Sequence, residues 1–269
     1  MKKIGFEPAI EIGIKMKNQF IFDMAQMEGN TATFEQVETI ADGISVGGLT
    51  TREVEQVSGI TKGWNAMLEL VKHKNFTLTK DTACYLNMLI SANENYNGLG
   101  DFRIRGVRIT GTDYIPPSAN QLDGLWHTMI ASIKRLPEDK QATSLYMQMA
   151  RNQFFGDGNK RTALTMMDGL LISQGYAPLT VSRKENQEYR QILLKYYEQP
   201  ITYENEFHQF LAKKQNDMMQ YWGYENVDEK KSLLGKTKDF SREKPLGNTK
   251  PIKKAILKIS NYQSNTPKR

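Results

Sequence analysis

The sequence predicts a mainly α-helical fold with one short β-hairpin, and three observations predict it. Ser or Thr followed three residues later by Glu or Gln occurs at Thr33/Gln36, Thr50/Glu53 and Ser118/Gln121, the spacing of a reciprocal helix-opening box. Apolar residues recur at helical intervals, as in Ile10, Ile14, Ile21, Met24 and Met27, and in Leu122, Leu125, Met129 and Ile133. Only residues 102–110, FRIRGVRIT, alternate bulky apolar residues with arginine around a central glycine, which is the pattern of a short hairpin.

Taken in order, Pro8 opens a first helix whose end is marked by Gly29, with Glu28 on its last turn. The Thr33 box opens FEQVETIADG, and the Thr50 box opens a long run to about Lys74. A further helix covers roughly Thr79 to Glu94. The hairpin follows, then Tyr114-Ile-Pro-Pro117, after which Ser118 opens a helix with Leu122, Leu125, Met129 and Ile133 on one stripe, closed by Pro137. Helices are expected over about 139–151, 160–175, 183–197 and 203–221, with Gly175 ending the second and Pro200 separating the last two.

The 269 residues, 39% hydrophobic, suffice for a sizeable core. No run approaches the roughly 18 consecutive apolar residues of a membrane span, and the basic start MKKIG has no apolar stretch behind it. No membrane association and no secretion signal are therefore expected, and the single Cys84 fits a reducing, cytoplasmic setting. The net charge of +6 is uneven: residues 225–269 hold 12 basic against 5 acidic side chains, leaving the rest at −1. The expected organisation is a helical region over 1–48, a core domain over 49–222, and a basic tail over 223–269 whose polar composition predicts mobility. Nucleic acid is not an expected partner, because no readout helix of the helix-turn-helix type is evident. His73, His127 and His208 lie far apart and flank no carboxylate at metal-ligand spacing.

The informative stretch is Gln153-Phe-Phe-Gly156-Asp157-Gly158-Asn159-Lys160-Arg161, a polar glycine-rich loop between two expected helices. Such a loop suits anions. Gly156 and Gly158 tolerate positive φ and let backbone N–H groups converge, and the following helix adds its unpaired N–H groups and positive dipole end. Asn159 supplies an amide donor, Lys160 and Arg161 supply positive charge, and Asp157 can hold a magnesium ion against phosphate oxygens. Together these point to a polyphosphate.

The same nine residues resemble the signature H-P-F-x-[D/E]-G-N-[G/K]-R of the Fic (Fido) family, whose members transfer a nucleotide moiety, usually AMP from ATP, to a hydroxyl of a target protein. Met24-Ala-Gln-Met-Glu28-Gly29 resembles the inhibitory helix [S/T]-x-x-x-E-[G/N] of some members, and Gly100 to Pro117 resembles the target-binding flap with its trailing di-proline. The resemblance covers roughly residues 20–215. It implies a Fic-type helical bundle with a hairpin flap. It also implies ATP as substrate with magnesium at Asp157, phosphates cradled by Gly156, Gly158, Asn159, Lys160 and Arg161, and inhibition by Glu28. A target segment would dock by strand addition along Val107, Arg108, Ile109, Thr110, Gly111 and Thr112.

Three departures qualify these implications. Gln153 stands where the family has its catalytic histidine, and a carboxamide has no useful basicity near neutrality, so general-base catalysis worth about 10²–10⁴ is expected to be lost. A degenerate natural member, another base such as Asp157, and a deliberate substitution all stay open. Leu164 occupies the place of the family's second arginine, so Glu28 is left to reach Lys160 or Arg161. Lys160-Arg-Thr-Ala-Leu164 resembles the Doc toxins, a branch thought to transfer the γ-phosphoryl group, which keeps phosphoryl transfer beside AMP transfer and an antitoxin or a second copy of the chain among the partners to test. A non-catalytic nucleotide-binding module is the alternative from outside enzymology.

Overall fold

A computed structural model of the chain describes residues 1–91 and 100–224. Within them are ten α-helices: α1 Phe6–Lys15, α2 Lys17–Met27, α3 Phe34–Ala41, α4 Thr51–Lys72, α5 Lys80–Ile90, α6 Leu122–Ile133, α7 Glu138–Asn152, α8 Asn159–Ser173, α9 Asn186–Glu198 and α10 Pro200–Tyr221. The expected C-terminal end of α5 at 92–94 and the basic tail from 225 onward lie outside the described residues.

Local chemistry accounts for most helix starts. At Thr33 and Thr50 the hydroxyl accepts an N–H from Gln36 or Glu53 while the partner side chain takes the cap's own N–H. Ser118 and Gln121 form the same box, opening a 3₁₀ turn that runs into α6. Thr79 caps α5 through the N–H of Thr82. The first helix is not continuous. It breaks at Met16, φ −95° and ψ 9°, so that Gly13 and Ala9 of α1 and Phe20, Ile21 and Met24 of α2 each face the core. The two prolines also act differently from expectation. Pro137 caps the start of α7, and Pro200 occupies the first turn of α10, where its missing N–H costs nothing.

α8 is the central element. From Asn159 to Ile172 it is buried on almost every side, packed by α7, α4, α5 and α1, which is the environment of a helix apolar all round. Trp64 of α4 stacks on Phe20 of α2 and donates its indole N–H to the Gly13 carbonyl at 3.1 Å. Gly59 and Gly63 let α4 and α5 cross closely, since an added Cβ would lie 2.5 Å from the Ile90 carbonyl oxygen and 2.3 Å from Ile90 Cγ1. That approach brings Asn87 and Ser91, at the end of α5, against the start of α8. Cys84 is buried on α5, and burial pushes its thiol up to about 12. No described helix is long and apolar enough to cross a membrane.

The expected hairpin is not formed. Residues 102–110 run as an irregular loop, and the only β-bridge among the described residues pairs Lys3 with Tyr176. Alternation fails for a physical reason: Phe102 and Arg103 are both buried while Ile104 is 73% exposed. The turn falls at Thr110-Gly111, where Gly111 has φ 89°, rather than at Gly106. The backbone of Val107 to Thr110 makes no hydrogen bond to another described residue, which leaves its donors and acceptors available to an incoming strand.

Candidate functional site

The loop from Gln153 to Gly158 joins α7 to α8 and is built by side chains that replace a regular turn. Asn159 is the main clamp. Its Oδ1 accepts the Phe155 N–H and its Nδ2 donates to the Phe155 carbonyl, both at 2.8 Å, closing the loop on itself. Phe154 and Phe155 are fully buried and pack on Phe102, and Phe154 also meets Trp126 edge-on at 5.2 Å. The loop is thereby riveted from below while its polar atoms face outward.

Gly158 caps α8 in the left-handed region, φ 68°, as the expectation of positive φ required. Asn87 donates to the Asp157 carbonyl at 2.9 Å and to Thr162 Oγ1 at 3.0 Å, and the Gly158 N–H meets Asp157 Oδ1 at 2.5 Å. Asp157 is half-exposed, with Oδ1 3.3 Å from Arg161 Nη2. Arg161 itself is only 3% exposed. The loop thus presents the α8 N-terminus, a carboxylate and two cations on one face. No group of three or more His, Cys, Asp or Glu that could cage a metal occurs among the described residues. A single carboxylate nevertheless suits magnesium, which keeps most of its waters and is usually held through one or two carboxylates together with substrate phosphates.

Gln153 ends α7 in the left-handed region, φ 50° and ψ 62°, a conformation that costs a non-glycine residue roughly 1 kcal/mol or more. Its side chain is turned back, donating Nε2 to the Ala150 carbonyl at 2.6 Å. Glu28 at the end of α2 reaches across the site: its Oε1 lies 3.3 Å from Lys160 Nζ, with side chains 22% and 30% exposed. Of the two cations left to it by the loss of the second arginine, Glu28 is paired with Lys160. Leu164, at that arginine's place, is buried in the apolar core. Met24 packs near the same helix, its sulfur 4.0 Å from Thr165 Oγ1.

The loop from 102 to 117 flanks the other side of Gln153. Tyr114 packs under the Arg151 guanidinium at 4.1 Å from ring centroid to Cζ, and Thr112 donates to Glu198 at 2.8 Å. Burial pushes the Tyr114 phenol up, with Arg151 and Arg103 partly offsetting it. Beside the end of α7 opens a cavity of about 250 Å³ lined by Gln148, Arg151, Asn152, Tyr196, Pro200, Ile201 and Glu204. A second of about the same size, by Asp139, Lys140 and His208, lies apart from the loop. The sequence pattern did not reveal Asn87, Ser91 and Arg103. Each is more than 45 residues from the loop atoms it touches, and no local signal marks them.

Residues 77–171 match the family model of the Fic/DOC family. The chain is 23% identical over 193 residues to a protein adenylyltransferase Fic of Culex quinquefasciatus, covering 67% of this chain and 38% of that protein. It is 25% identical over 182 residues to one of Drosophila mojavensis, covering 65% and 36%. The chain thus spans less than half the length of these curated relatives. Among solved structures, a Fic domain-containing signaling protein of Bacteroides thetaiotaomicron superposes with a TM-score of 0.68 at 18% identity, covering 78% of this chain and 86% of that one. Fic-1 of C. elegans superposes with a TM-score of 0.68 at 17% identity, covering 79% and 64%.

Proposed function

The chain belongs to the Fic/DOC family, and from that premise we propose that it binds ATP and acts on a hydroxyl of a target protein by AMP transfer, attenuated as written by Gln153. The observation that carries this reading is the clamped loop at the α8 N-terminus, where Gly158, Asn159, Lys160 and Arg161 gather N–H donors and positive charge on one face. Those residues and Gly156 would take the phosphates. Magnesium, when bound at Asp157 with the phosphates, neutralises charge on them. Val107 to Thr112 would hold an extended target segment through its unpaired backbone.

In the transfer, the target oxygen forms a bond to the α-phosphorus, the bond from that phosphorus to the pyrophosphate oxygen breaks, and pyrophosphate leaves. The hydroxyl proton must go to a base. Gln153 offers none, and its amide nitrogen is already engaged with Ala150, so it can at most orient the nucleophile by a hydrogen bond. Glu28, by neutralising Lys160, removes one cation from the phosphate site, which is how it would restrain binding. The Lys160-Arg161-Thr162-Ala163-Leu164 run favours phosphoryl transfer as the second reading.

The test is incubation of this chain and its Gln153→His variant with ATP labelled at the α- or γ-phosphorus. Protein labelling from α-label, at least about 10²-fold faster in the His variant, is expected. Label from the γ position selects phosphoryl transfer, and silence of both chains with both labels refutes the enzymatic reading in favour of a binding module.

A further inference from the structure

Arg103 belongs to the flap by sequence but faces the loop of the site. It is 2% exposed. Its Nε donates to the Gln153 carbonyl at 2.6 Å, its Nη1 to the Arg105 carbonyl at 2.8 Å, and its Nη2 to the Pro117 carbonyl. Its own N–H donates to the Phe154 carbonyl at 2.9 Å. One residue therefore ties together the outgoing limb of the flap, its returning limb, and the backbone where α7 ends. Other anchors do less. Lys80 holds the flap root through Asp101 at 2.9 Å and the Phe102 ring, and Thr112 and Tyr114 hold the returning limb to α9 and α7. None of them bonds the Gln153-Phe154 backbone.

We propose that Arg103 is a positioning residue that sets the register between the target-bearing segment Val107 to Thr112 and residue 153. The proposal rests on the functional reading above. Its physical basis is the guanidinium fork, which has donors in three in-plane directions and so can satisfy three separate carbonyls at once; an ammonium carries its donors on one atom and cannot span them. Gln153 lies in the left-handed region, and rotation about its backbone would swing the chain leaving α7 relative to the flap. Arg103 holds the carbonyl that such a rotation would move. An error of about 1 Å at such a junction can cost on the order of 10²-fold in rate, because the hydroxyl no longer meets its partner group.

Arg103→Lys in the Gln153→His chain tests this with ATP and magnesium, and with a peptide taken from an array of Ser, Thr and Tyr peptides labelled by that chain. The expected result is a kcat lowered by about 10–10²-fold and a peptide KM raised, with the Kd for ATP, measured by calorimetry, unchanged within about twofold. Parental kcat and peptide KM in Arg103→Lys overturn the proposal, as does a loss confined to ATP affinity and thermal stability. Amide exchange on the unsubstituted chain needs no variant to fold: the Arg103 amide is expected to exchange slowly while those of Val107 to Thr110 exchange fast. An Arg103 amide as fast as those overturns the bridge. If the Gln153→His chain labels no peptide, the functional reading fails, and the exchange measurement decides the bridge by itself.

Discussion

Gly158→Ala should destabilise the chain severely, and the structure allows its size to be worked out. Gly158 has φ 68°, and an added methyl group would lie 2.0 Å from Ser91 Oγ and 3.3 Å from both Asn87 Nδ2 and Ser91 Cβ. The left-handed conformation alone costs alanine roughly 1–2 kcal/mol. Asn87 and Ser91 are both fully buried, so neither can swing into solvent, and Asn87 is further tied to Asp157 and Thr162. Overpacking of this kind adds roughly 1–3 kcal/mol. The sum, roughly 2–5 kcal/mol, corresponds to a Tm lower by about 4–20 °C for a folded unit of this size. Scanning calorimetry of Gly158→Ala, Ser91→Ala and the double variant measures it. Ser91→Ala deletes the atom at 2.0 Å and leaves the contact at 3.3 Å, so the double variant should recover at least about 1 kcal/mol relative to additivity. A Gly158→Ala Tm within about 2 °C of the parent, or strict additivity, would refute the reasoning.

Further expectations concern charge. Glu28→Gly frees Lys160, and because the pair is partly exposed its worth is about 0.2–1 kcal/mol, so ATP affinity by calorimetry should rise by up to about fivefold, less at high salt; an unchanged Kd would make the α2 end purely structural. Asp23 on α2 is buried with Oδ2 unpartnered, and burial raises its carboxyl to about 6 against hydrogen bonds from Gln19 and Thr180. The folded state then binds the proton more tightly than the unfolded one, so this contribution weakens as pH rises from about 4 to about 6, by roughly 3 kcal/mol at most. Asp23→Asn should remove that slope in denaturant titrations across pH 4–7, and a slope matching the parent's would contradict it. His208, hydrogen-bonded to Thr143, is pushed by burial down to about 4. Its contribution has the opposite sign, lost as pH falls from about 6.5 to about 4. His208→Gln should therefore steepen the decline of stability with rising pH relative to the parent, and no change in slope would count against a buried neutral imidazole.

The mainly helical class, the three capping boxes, the cap at Thr79 and the anion loop at 153–161 were legible in the sequence, because each depends on groups within a few residues of one another. A Thr hydroxyl meets the N–H three residues on whatever the rest of the chain does, and the Asn159 amide closes a loop only four residues long. The choice between Lys160 and Arg161 as the partner of Glu28 was not legible, since it depends on how α2 packs against α8 across more than 130 residues. The flap shows the same divide from the other side. Its alternation of apolar residues and arginine suggested paired strands, but the pattern cannot reveal that one arginine has carbonyls waiting for it on Gln153 and Pro117. A buried guanidinium must satisfy its donors, and once those carbonyls are within reach they outcompete the ladder for the local backbone. Likewise, a glycine at position 158 follows from the turn alone, whereas the intolerance of any larger residue there comes from Ser91, brought in by the close crossing of α4 and α5. Sequence determined what short-range hydrogen bonding and periodicity can determine; tertiary packing decided which distant donors and charges meet, because only the folded core sets those distances.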